Sequence, residues 1–250
     1  MQYFGGKARV GSKIVEYLNG IPHSTYYEPF VGGAWIMSRM ATRKARIASD
    51  ICVPIIALYK ALQDGWEPPD YVSEEDYAWA KSDDAPLYFK AFAGFGCSFA
   101  GKWFGGYARG GHGADAKTAP RSLDKKFNPR NYAMNAKMSS LSKLGGLSDV
   151  SFFVADYNQL PLIAREDWLI YCDPPYAGTT GYAAAGKYDA DNFWGRVRQW
   201  STQCAVVVSE YKAPDDFKCV AEFTTRTDIR NKLGLLEPRM ERLFRHESQI

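Results

Sequence analysis

The chain has 250 residues, of which 46% are hydrophobic and 24% are charged, and its formal net charge at pH 7 is +3. This length and composition suffice for a sizeable core, arranged as one large domain or as one domain that carries an insertion. No stretch approaches the roughly 18 uncharged apolar residues of a membrane span, and residues 1–7 lack a signal-peptide pattern, so we expect no membrane partner.

The numbers and positions of the cysteines and histidines limit the kinds of site that we expect in this chain. Five cysteines occur, an odd number without a close pair, which favours reduced thiols and a location in the cytoplasm. The three histidines are far apart in the sequence, so neither a histidine-centred metal site nor a histidine base is expected. We therefore predict a cytoplasmic protein without a metal ion.

Strands and helices are predicted to alternate in the first quarter of the chain. The pattern indicates a helix over residues 12–18, a strand over 25–27, a helix over 34–41, a strand over 45–49 and a helix over 51–62. Polar, aromatic and glycine-rich sequence then continues to residue 146, with a helix predicted over 86–93 and no good strand pattern.

The alternation resumes near residue 150. Predicted strands include Phe152, Leu169, Val206 and Phe223, and a helix is predicted over 191–203, whose two tryptophans we assign to the core. A sheet that is interrupted and then resumes indicates an α/β domain with an inserted domain.

Acidic residues follow several of the predicted strands. Glu28, Asp50, Asp156 and Asp173 each stand at the end of a strand or directly after one. Ligands of open α/β sheets bind at the carboxyl ends of the strands. If these strands are parallel, the four carboxylates converge on one crevice.

The segment that begins at Glu28 reads as a strand followed by a turn at Gly32 and Gly33. Glycines at such a turn let the backbone approach a ligand, and the N–H groups of a helix start favour a carboxylate or phosphate. In nucleotide-binding folds, an acidic residue about 20 positions further on accepts hydrogen bonds from ribose hydroxyls. Asp50 suits this role, and the alternative is that it only caps the following helix.

The tetrapeptide Asp173-Pro174-Pro175-Tyr176 follows a buried-strand pattern. Two prolines restrict the backbone, so the turn is rigid and its carbonyl groups have little freedom. A carboxylate and a backbone carbonyl could accept both hydrogens of a nucleobase amine, and the tyrosine could stack on a base that has left the duplex. The alternative is an ordinary turn after a strand.

The predicted insertion carries local positive charge. Between residues 97 and 146, nine lysines and arginines stand against two aspartates, interleaved with aromatic residues and glycines. Such groups supply phosphate affinity, although a solvated basic loop without a partner is the alternative. The candidate DNA-binding residues are Lys102, Arg109, Lys117, Arg121, Lys125, Lys126, Arg130 and Lys137.

In their order and spacing, these motifs resemble those of the Dam-type DNA adenine methyltransferases, which use S-adenosylmethionine. The resemblance covers most of the chain. The matching segments are Tyr3-Phe4-Gly5-Gly6-Lys7, Glu28-Pro29-Phe30-Val31-Gly32-Gly33, Ser49-Asp50-Ile51 and the residues up to Tyr59, Asp156-Tyr157, Asp173-Pro174-Pro175-Tyr176, and Val206-Val207-Val208-Ser209.

The resemblance implies a role for each matching residue. Lys7 would approach the methionine carboxylate of the cofactor, Asp50 the ribose and Asp156 the adenine amine. The implied cofactor-binding residues are Tyr3, Lys7, Glu28, Phe30, Gly32, Gly33, Asp50, Ile51, Asp156, Tyr157 and Asp173. The implied catalytic residues are Asp173, Pro174, Pro175 and Tyr176.

The resemblance also implies the fold and the reaction. We expect an α/β class I methyltransferase fold, a Rossmann-like mixed sheet with helices on both faces, with an inserted recognition domain of helices and loops. Residues 1–62 and 147–250 would form the catalytic domain, and residues 63–146 the recognition domain. The enzyme would methylate the exocyclic amine of adenine in double-stranded DNA, as a monomer or weak dimer, in a bacterium or a phage-infected cell.

Three alternatives stay open at this point. The same chemistry could act on RNA adenine or on the exocyclic amine of cytosine, or the chain could be a DNA-binding relative without catalysis. Methylation at carbon-5 of cytosine is not expected, because that reaction needs a nucleophilic cysteine, typically after a proline, and no Pro-Cys pair occurs.

Overall fold

The computed structural model describes residues 7–42, 44–108, 129–159, 165–175, 188–225 and 239–250. These residues form two compact units. The sheet unit comprises Lys7–Val31, Trp35–Ile51 and Asp149–Ile250, and the helical unit includes Gly32–Ala34 and Cys52–Ser148. Among the described residues, no helix is long and apolar enough to cross a membrane.

A seven-stranded mixed sheet organises the sheet unit, and it confirms the predicted fold class. The strand order is β3-β2-β1-β4-β5-β7-β6, and every pair is parallel except the two that β7 makes, which are antiparallel. The strands are β1 (Thr25–Glu28), β2 (Ala45–Asp50), β3 (Val150–Val154), β4 (Trp168–Cys172), β5 (Ala205–Glu210), β6 (Phe217–Thr225) and β7 (Arg239–His246).

One face of this sheet carries an apolar layer. Tyr27, Ile170 and Val206 pair across neighbouring strands and therefore point to the same side. The aromatic residues of α6 (Ala190–Ser201) pack against them, and Asp189 caps that helix by accepting a hydrogen bond from the Asn192 amide at 3.1 Å. The tryptophans predicted to be core residues, Trp194 and Trp200, are buried in this layer, as predicted.

The helical unit contains four α-helices within the described residues: α2 (Val53–Gln63), α3 (Glu74–Trp79), α4 (Leu87–Ala91) and α5 (Pro129–Leu144). A π-helix, Phe92–Gly96, continues α4 and packs against α5. Helix α5 buries one side, on which residues recur at helical spacing. The buried residues are three small ones, Ala133, Ala136 and Ser140, and Lys143.

Most predicted elements are present, and the exceptions have identifiable causes. Helix α1 (Gly11–Asn19) and the strands after it agree with the prediction to within two residues. The helix predicted over residues 34–41 is wrong, because only the 3₁₀ turn Met37–Arg39 forms there. Ala34 has φ of +52°, a left-handed conformation that cannot begin a right-handed helix.

Candidate active site

The acidic strand ends lie along one edge of the sheet. Glu28 pairs with Ala48, two positions before Asp50, and Asp50 pairs with Val154. Strand β4 is parallel to β1, so Asp173 follows it at this same edge. Because neighbouring strands are about 4.8 Å apart, the edge from β4 across β1 and β2 to β3 measures about 14 Å.

Glu28 is a buried carboxylate at the end of β1. It accepts a hydrogen bond of 2.6 Å from the Tyr26 hydroxyl, and the Met37 amide also donates to it. Burial raises the pKa of Glu28 to about 8, these two hydrogen bonds oppose the rise, and the charge of Asp173 adds to it. Glu28 and Asp173 are therefore close enough to repel each other.

Lys7 pairs with the first residue of the Asp-Pro-Pro-Tyr motif. Its Nζ lies 2.6 Å from Asp173 Oδ1 and 3.5 Å from Glu241 Oε1. The Lys7 side chain is only 5% exposed, whereas that of Asp173 is 21% exposed. The ammonium is therefore covered by protein, while the carboxylate it holds still reaches solvent.

Glu241 is anchored from β5 as well. The Ser209 hydroxyl donates a short hydrogen bond to Glu241 Oε1, and both side chains are buried. Ser209 pairs with Leu243, and Glu241 stands two residues before Leu243, so all three point to one face. Glu28 lies on this face too, opposite the apolar layer beneath α6.

Burial and neighbouring charge shift the pKa of both members of the Lys7–Asp173 pair. Burial raises the pKa of Asp173; the Lys7 ammonium opposes that rise and the Glu241 charge adds to it. Burial would lower the pKa of Lys7, but Asp173 and Glu241 together raise it above its ordinary value. Lys7 is therefore a permanent cation at neutral pH, and Asp173 can exchange a proton nearer to neutrality than an ordinary aspartate.

The prolines of the motif lie directly after this carboxylate. Pro174 is buried and Pro175 is half-buried. Tyr176 lies outside the described residues, as does Tyr3. The resemblance predicts Lys7 beside the methionine carboxylate of the cofactor, and in the structure its ammonium contacts Asp173.

The strand ends beyond β1 carry the residues predicted to bind the nucleoside part of a cofactor. Ile51 follows Asp50 and is 40% exposed. The Asp156 carboxylate accepts a hydrogen bond of 2.8 Å from the Asn158 amide, which fixes the turn after β3. Tyr157 is buried, and its ring centroid lies 5.2 Å from that of Phe30.

The glycine turn is held within the helical unit. Gly32 has φ of +41°, a conformation that glycine adopts without strain. The Tyr59 hydroxyl donates to the Gly32 carbonyl at 2.7 Å, and Lys143 Nζ donates to the Gly33 carbonyl at 2.6 Å. Two side chains thus restrain consecutive carbonyl groups, and Lys143 is buried rather than part of a basic surface.

The candidate DNA-binding residues are only partly described. Lys102 is exposed, and Lys137 forms an ion pair with Asp70 at 2.8 Å. The others, or their side chains, lie outside the described part of the chain: Arg109, Lys117, Arg121, Lys125, Lys126 and Arg130.

Glu241 was absent from the sequence-based prediction, and Ser209, which anchors it, was predicted only as part of a matching strand segment. Strand β7 was not predicted, because the charged residues in Arg239–His246 resemble a surface segment. The usable signal was the spacing of two residues between Glu241 and Leu243, which puts both side chains on one face of a strand. If that face is buried, the carboxylate occupies a core position.

The antiparallel strand β7 lies between β5 and β6, and acidic residues lie at the ends of the parallel strands. This arrangement defines a class I methyltransferase fold. Residues 3–141, more than half of the chain, match the family model described as D12 class N6 adenine-specific DNA methyltransferase. The chain belongs to this family, in agreement with the Dam-type resemblance. No curated protein matches the sequence.

Several solved structures are similar to this chain over most of its length. TrmN from Thermus thermophilus is 12% identical with a TM-score of 0.38, and the match covers 94% of this chain and 47% of TrmN. The chain thus spans about half the length of TrmN.

Two further structures match 94% of the chain each. A proposed RNA methyltransferase, PH1948 from Pyrococcus horikoshii, is 10% identical with a TM-score of 0.39 and is covered over 81% of its length. A proposed methylase, HI0767 from Haemophilus influenzae, is 9% identical with a TM-score of 0.35 and is covered over 87%.

Proposed function

We propose that this protein transfers the methyl group of S-adenosylmethionine to the exocyclic amine of adenine in DNA. Membership of the D12 family supports the reaction type. The observation that carries the proposal is Asp173, a partly exposed carboxylate after a buried strand, whose Oδ1 is already occupied by Lys7.

Asp173 would orient the amine that accepts the methyl group. Lys7 donates to Asp173 Oδ1 at 2.6 Å, and we propose that Asp173 Oδ2 accepts from the amine. Together with the carbonyl of Pro174, it could take both hydrogens of the amine and localise the nitrogen lone pair. Tyr176 would then stack on the face of a base that has been rotated out of the duplex.

The residues at the sheet edge fit the proposed cofactor. When bound, S-adenosylmethionine supplies an electrophilic methyl group on a positively charged sulfur. Among the described residues, Asp173 and Glu241 share the Lys7 ammonium, which leaves an excess of negative charge that favours a ligand with positive charge. Glu28 adds little to this charge at neutral pH, because its pKa is raised to about 8. This edge is about 14 Å long, so it would hold an extended cofactor that consists of a methionine part and a nucleoside part.

The proposed contacts divide along this edge. Asp50 would accept from the ribose hydroxyls, Asp156 from the adenine amine, and Ile51 would cover the ring with its exposed side chain. Tyr3, Phe30 and Tyr157 would contribute aromatic surface, and the turn at Gly32 and Gly33 would admit close backbone approach.

Asp173 also offers a route for the proton that the amine loses. Its burial raises the pKa of the carboxyl, so it can hold a proton more readily than an exposed aspartate. Lys7 is unsuited to the task, because its pKa is raised above an already basic value.

The DNA would be bound by the region between residues 63 and 146, which we propose as the recognition domain. Its local excess of positive charge suits phosphate contacts, and Lys102 is one exposed example. We propose a double-stranded substrate bound by a monomer or weak dimer in the cytoplasm.

The test is methyl transfer from labelled S-adenosylmethionine to duplex DNA, single-stranded DNA and RNA, followed by mass spectrometry of the nucleosides. We expect N6-methyladenine from duplex DNA. Product that appears only in RNA, or only as N4-methylcytosine, would overturn the proposed substrate.

Asp173→Ala tests the site itself. We expect this variant to lose methyl transfer, while calorimetric titration shows only a partial loss of cofactor affinity. Product at the wild-type level would refute the role of Asp173. Failure of the wild-type protein to bind the cofactor would instead support a DNA-binding relative without catalysis.

A further inference from the structure

A buried chain of polar groups connects three strands and the segment before α1. Ser209 on β5 donates to Glu241 on β7, the Glu241 carboxylate lies 3.5 Å from Lys7 Nζ, and Lys7 contacts Asp173 at the end of β4. Ser209 is completely buried, the side chains of Glu241 and Lys7 are 11% and 5% exposed, and that of Asp173 is 21% exposed. This series of contacts therefore begins in the interior and ends at a carboxylate that solvent reaches.

Glu241 is not needed to neutralise Lys7. Asp173 already provides one negative charge at 2.6 Å from the ammonium, so a second buried carboxylate adds desolvation cost and repels Asp173. An apolar residue would suit the position better, since its neighbour on the same face, Leu243, is completely buried. A charge retained at such a position calls for a functional explanation.

We infer that Glu241 is a positioning residue for Asp173, and that it acts by holding the Lys7 ammonium on the Oδ1 side of that carboxylate. The inference rests on the proposed function, because it assigns Asp173 the acceptor role. Glu241 shares the ammonium and is itself anchored by Ser209, so Lys7 has partners on both sides and one preferred location. Oδ2 then stays available for the amine.

The charge of Glu241 also sets how strongly Lys7 neutralises Asp173. An ammonium shared between two carboxylates withdraws less charge from either of them than an ammonium that belongs to one. Among the described residues, the other titratable groups that interact electrostatically with Asp173 or Glu241 are Glu28 on β1 and both Tyr171 and Cys172 on β4. Glu241→Gln keeps the shape and an acceptor for Ser209 and removes only the charge.

A double-mutant cycle tests whether Glu241 acts through Lys7. Single-turnover methyl transfer would be measured for wild type, Glu241→Gln, Lys7→Met and the double variant, with cofactor affinity and thermal unfolding measured in parallel. We expect Glu241→Gln to slow transfer about tenfold in the wild-type background and less than about twofold in the Lys7→Met background. An equal loss in both backgrounds would overturn the inference.

The matched control is Glu222→Gln on β6. Glu222 forms an exposed ion pair of 2.7 Å with Arg242 on the neighbouring strand, so the same chemical change is made outside the buried chain. We expect its transfer rate to equal that of wild type. A comparable loss in this variant would show that the effect of Glu241→Gln is not specific.

A second readout needs no catalysis. In protein labelled with ¹³C at the aspartate carboxyl carbons, with Asp173→Asn used for assignment, the titration midpoint of Asp173 should fall in Glu241→Gln and rise in Lys7→Met. An unchanged midpoint in Glu241→Gln would overturn the inference even if methyl transfer is slowed. A shifted midpoint in a protein that methylates no nucleic acid would support the linkage and refute the proposed function instead.

Discussion

Lys7 Nζ lies 2.6 Å from Asp173 Oδ1, and this contact joins the segment before α1 to the end of β4. The lysine is covered by protein and the aspartate reaches solvent, so the pair combines a buried ammonium with a partly exposed carboxylate. The pair makes the ionisation of Asp173 depend on a residue that solvent does not reach.

Lys7→Met should move the pH dependence of methyl transfer. Without the ammonium, burial and the charge of Glu241 act on Asp173 unopposed, so its pKa rises and its ionised fraction at neutral pH falls. We expect the acidic limb of the rate profile to shift to higher pH by about one unit or more. The measurement is single-turnover transfer between about pH 5 and pH 9.

The control for this change is Lys13→Met, since Lys13 is an exposed lysine on α1. Its rate profile should superimpose on that of wild type. A Lys7→Met profile with an unchanged acidic limb would contradict the electrostatic role of the pair.

Glu28→Gln should stabilise the protein at alkaline pH. The pKa of Glu28 is raised to about 8 in the folded chain, so between its ordinary value near 4.5 and pH 8 the folded state holds a proton that the unfolded state has released. The free energy of unfolding therefore falls as pH rises through this window, and glutamine removes that dependence. We expect a midpoint about 5 °C higher than wild type at pH 8.5, and little difference at pH 5.

Thermal unfolding of Glu28→Gln is compared with that of Glu16→Gln, which changes an exposed glutamate on α1. The control should follow wild type throughout. Parallel curves for Glu28→Gln and wild type across this pH range would show that Glu28 does not titrate as described.

Lys143→Met should weaken both stability and cofactor binding. Lys143 Nζ donates to the Gly33 carbonyl from a buried position, and its loss leaves that carbonyl without this donor. We expect a loss of about 1–3 kcal/mol in the free energy of unfolding, together with weaker cofactor binding if the glycine turn contacts the cofactor as proposed. Chemical denaturation and calorimetric titration measure the two effects.

Lys137→Met is the matched change on the same helix. Lys137 pairs with an exposed aspartate, so its removal should cost less than about 1 kcal/mol. Equal losses of unfolding free energy in Lys143→Met and Lys137→Met would contradict the stabilising role of the hydrogen bond to Gly33.

Gly94→Ala should destabilise the helical unit. A Cβ at this position of the π-helix would lie 2.8 Å from Trp103 and 2.9 Å from Phe104, closer than two carbons can approach without rearrangement. We expect a loss of about 1–3 kcal/mol, measured by thermal unfolding.

Gly195→Ala provides the opposite case. Gly195 lies inside α6, and a Cβ there meets nothing within 4 Å, so the substitution should stabilise the chain by up to about 1 kcal/mol. Destabilisation by Gly195→Ala, or tolerance of Gly94→Ala, would contradict the packing described for these glycines.

Local patterns were sufficient to predict the parallel part of the sheet. Each of β1, β2 and β4 is a short apolar run that ends in or just before an acidic residue, and parallel strands bring such ends to one edge. Glu28, Asp50 and Asp173 were therefore predicted to lie at a common edge from the order of elements alone, and the structure places them there.

Interactions between distant parts of the chain were not predictable in this way. The turn after Gly32 ended the helix predicted over residues 34–41, because backbone sterics at Ala34 outweighed helix propensity. Strand β7 is rich in charge, and only its pairing with β5 and β6 makes Glu241 a buried residue. Neither the burial of Lys143 nor the contact of Lys7 with Asp173 has a local signature.

Because β7 runs against its neighbours, its early residues, and not its late ones, reach the edge where the parallel strands end. Lys7 consequently meets Glu241 only after a ribosome has released the chain as far as β7. In a nascent chain that contains Asp173 but not yet β7, the Lys7 ammonium would contact Asp173 without Glu241. The pairing of β7 with β5 is thus the step that would give the Lys7 ammonium its contact with Glu241 during synthesis.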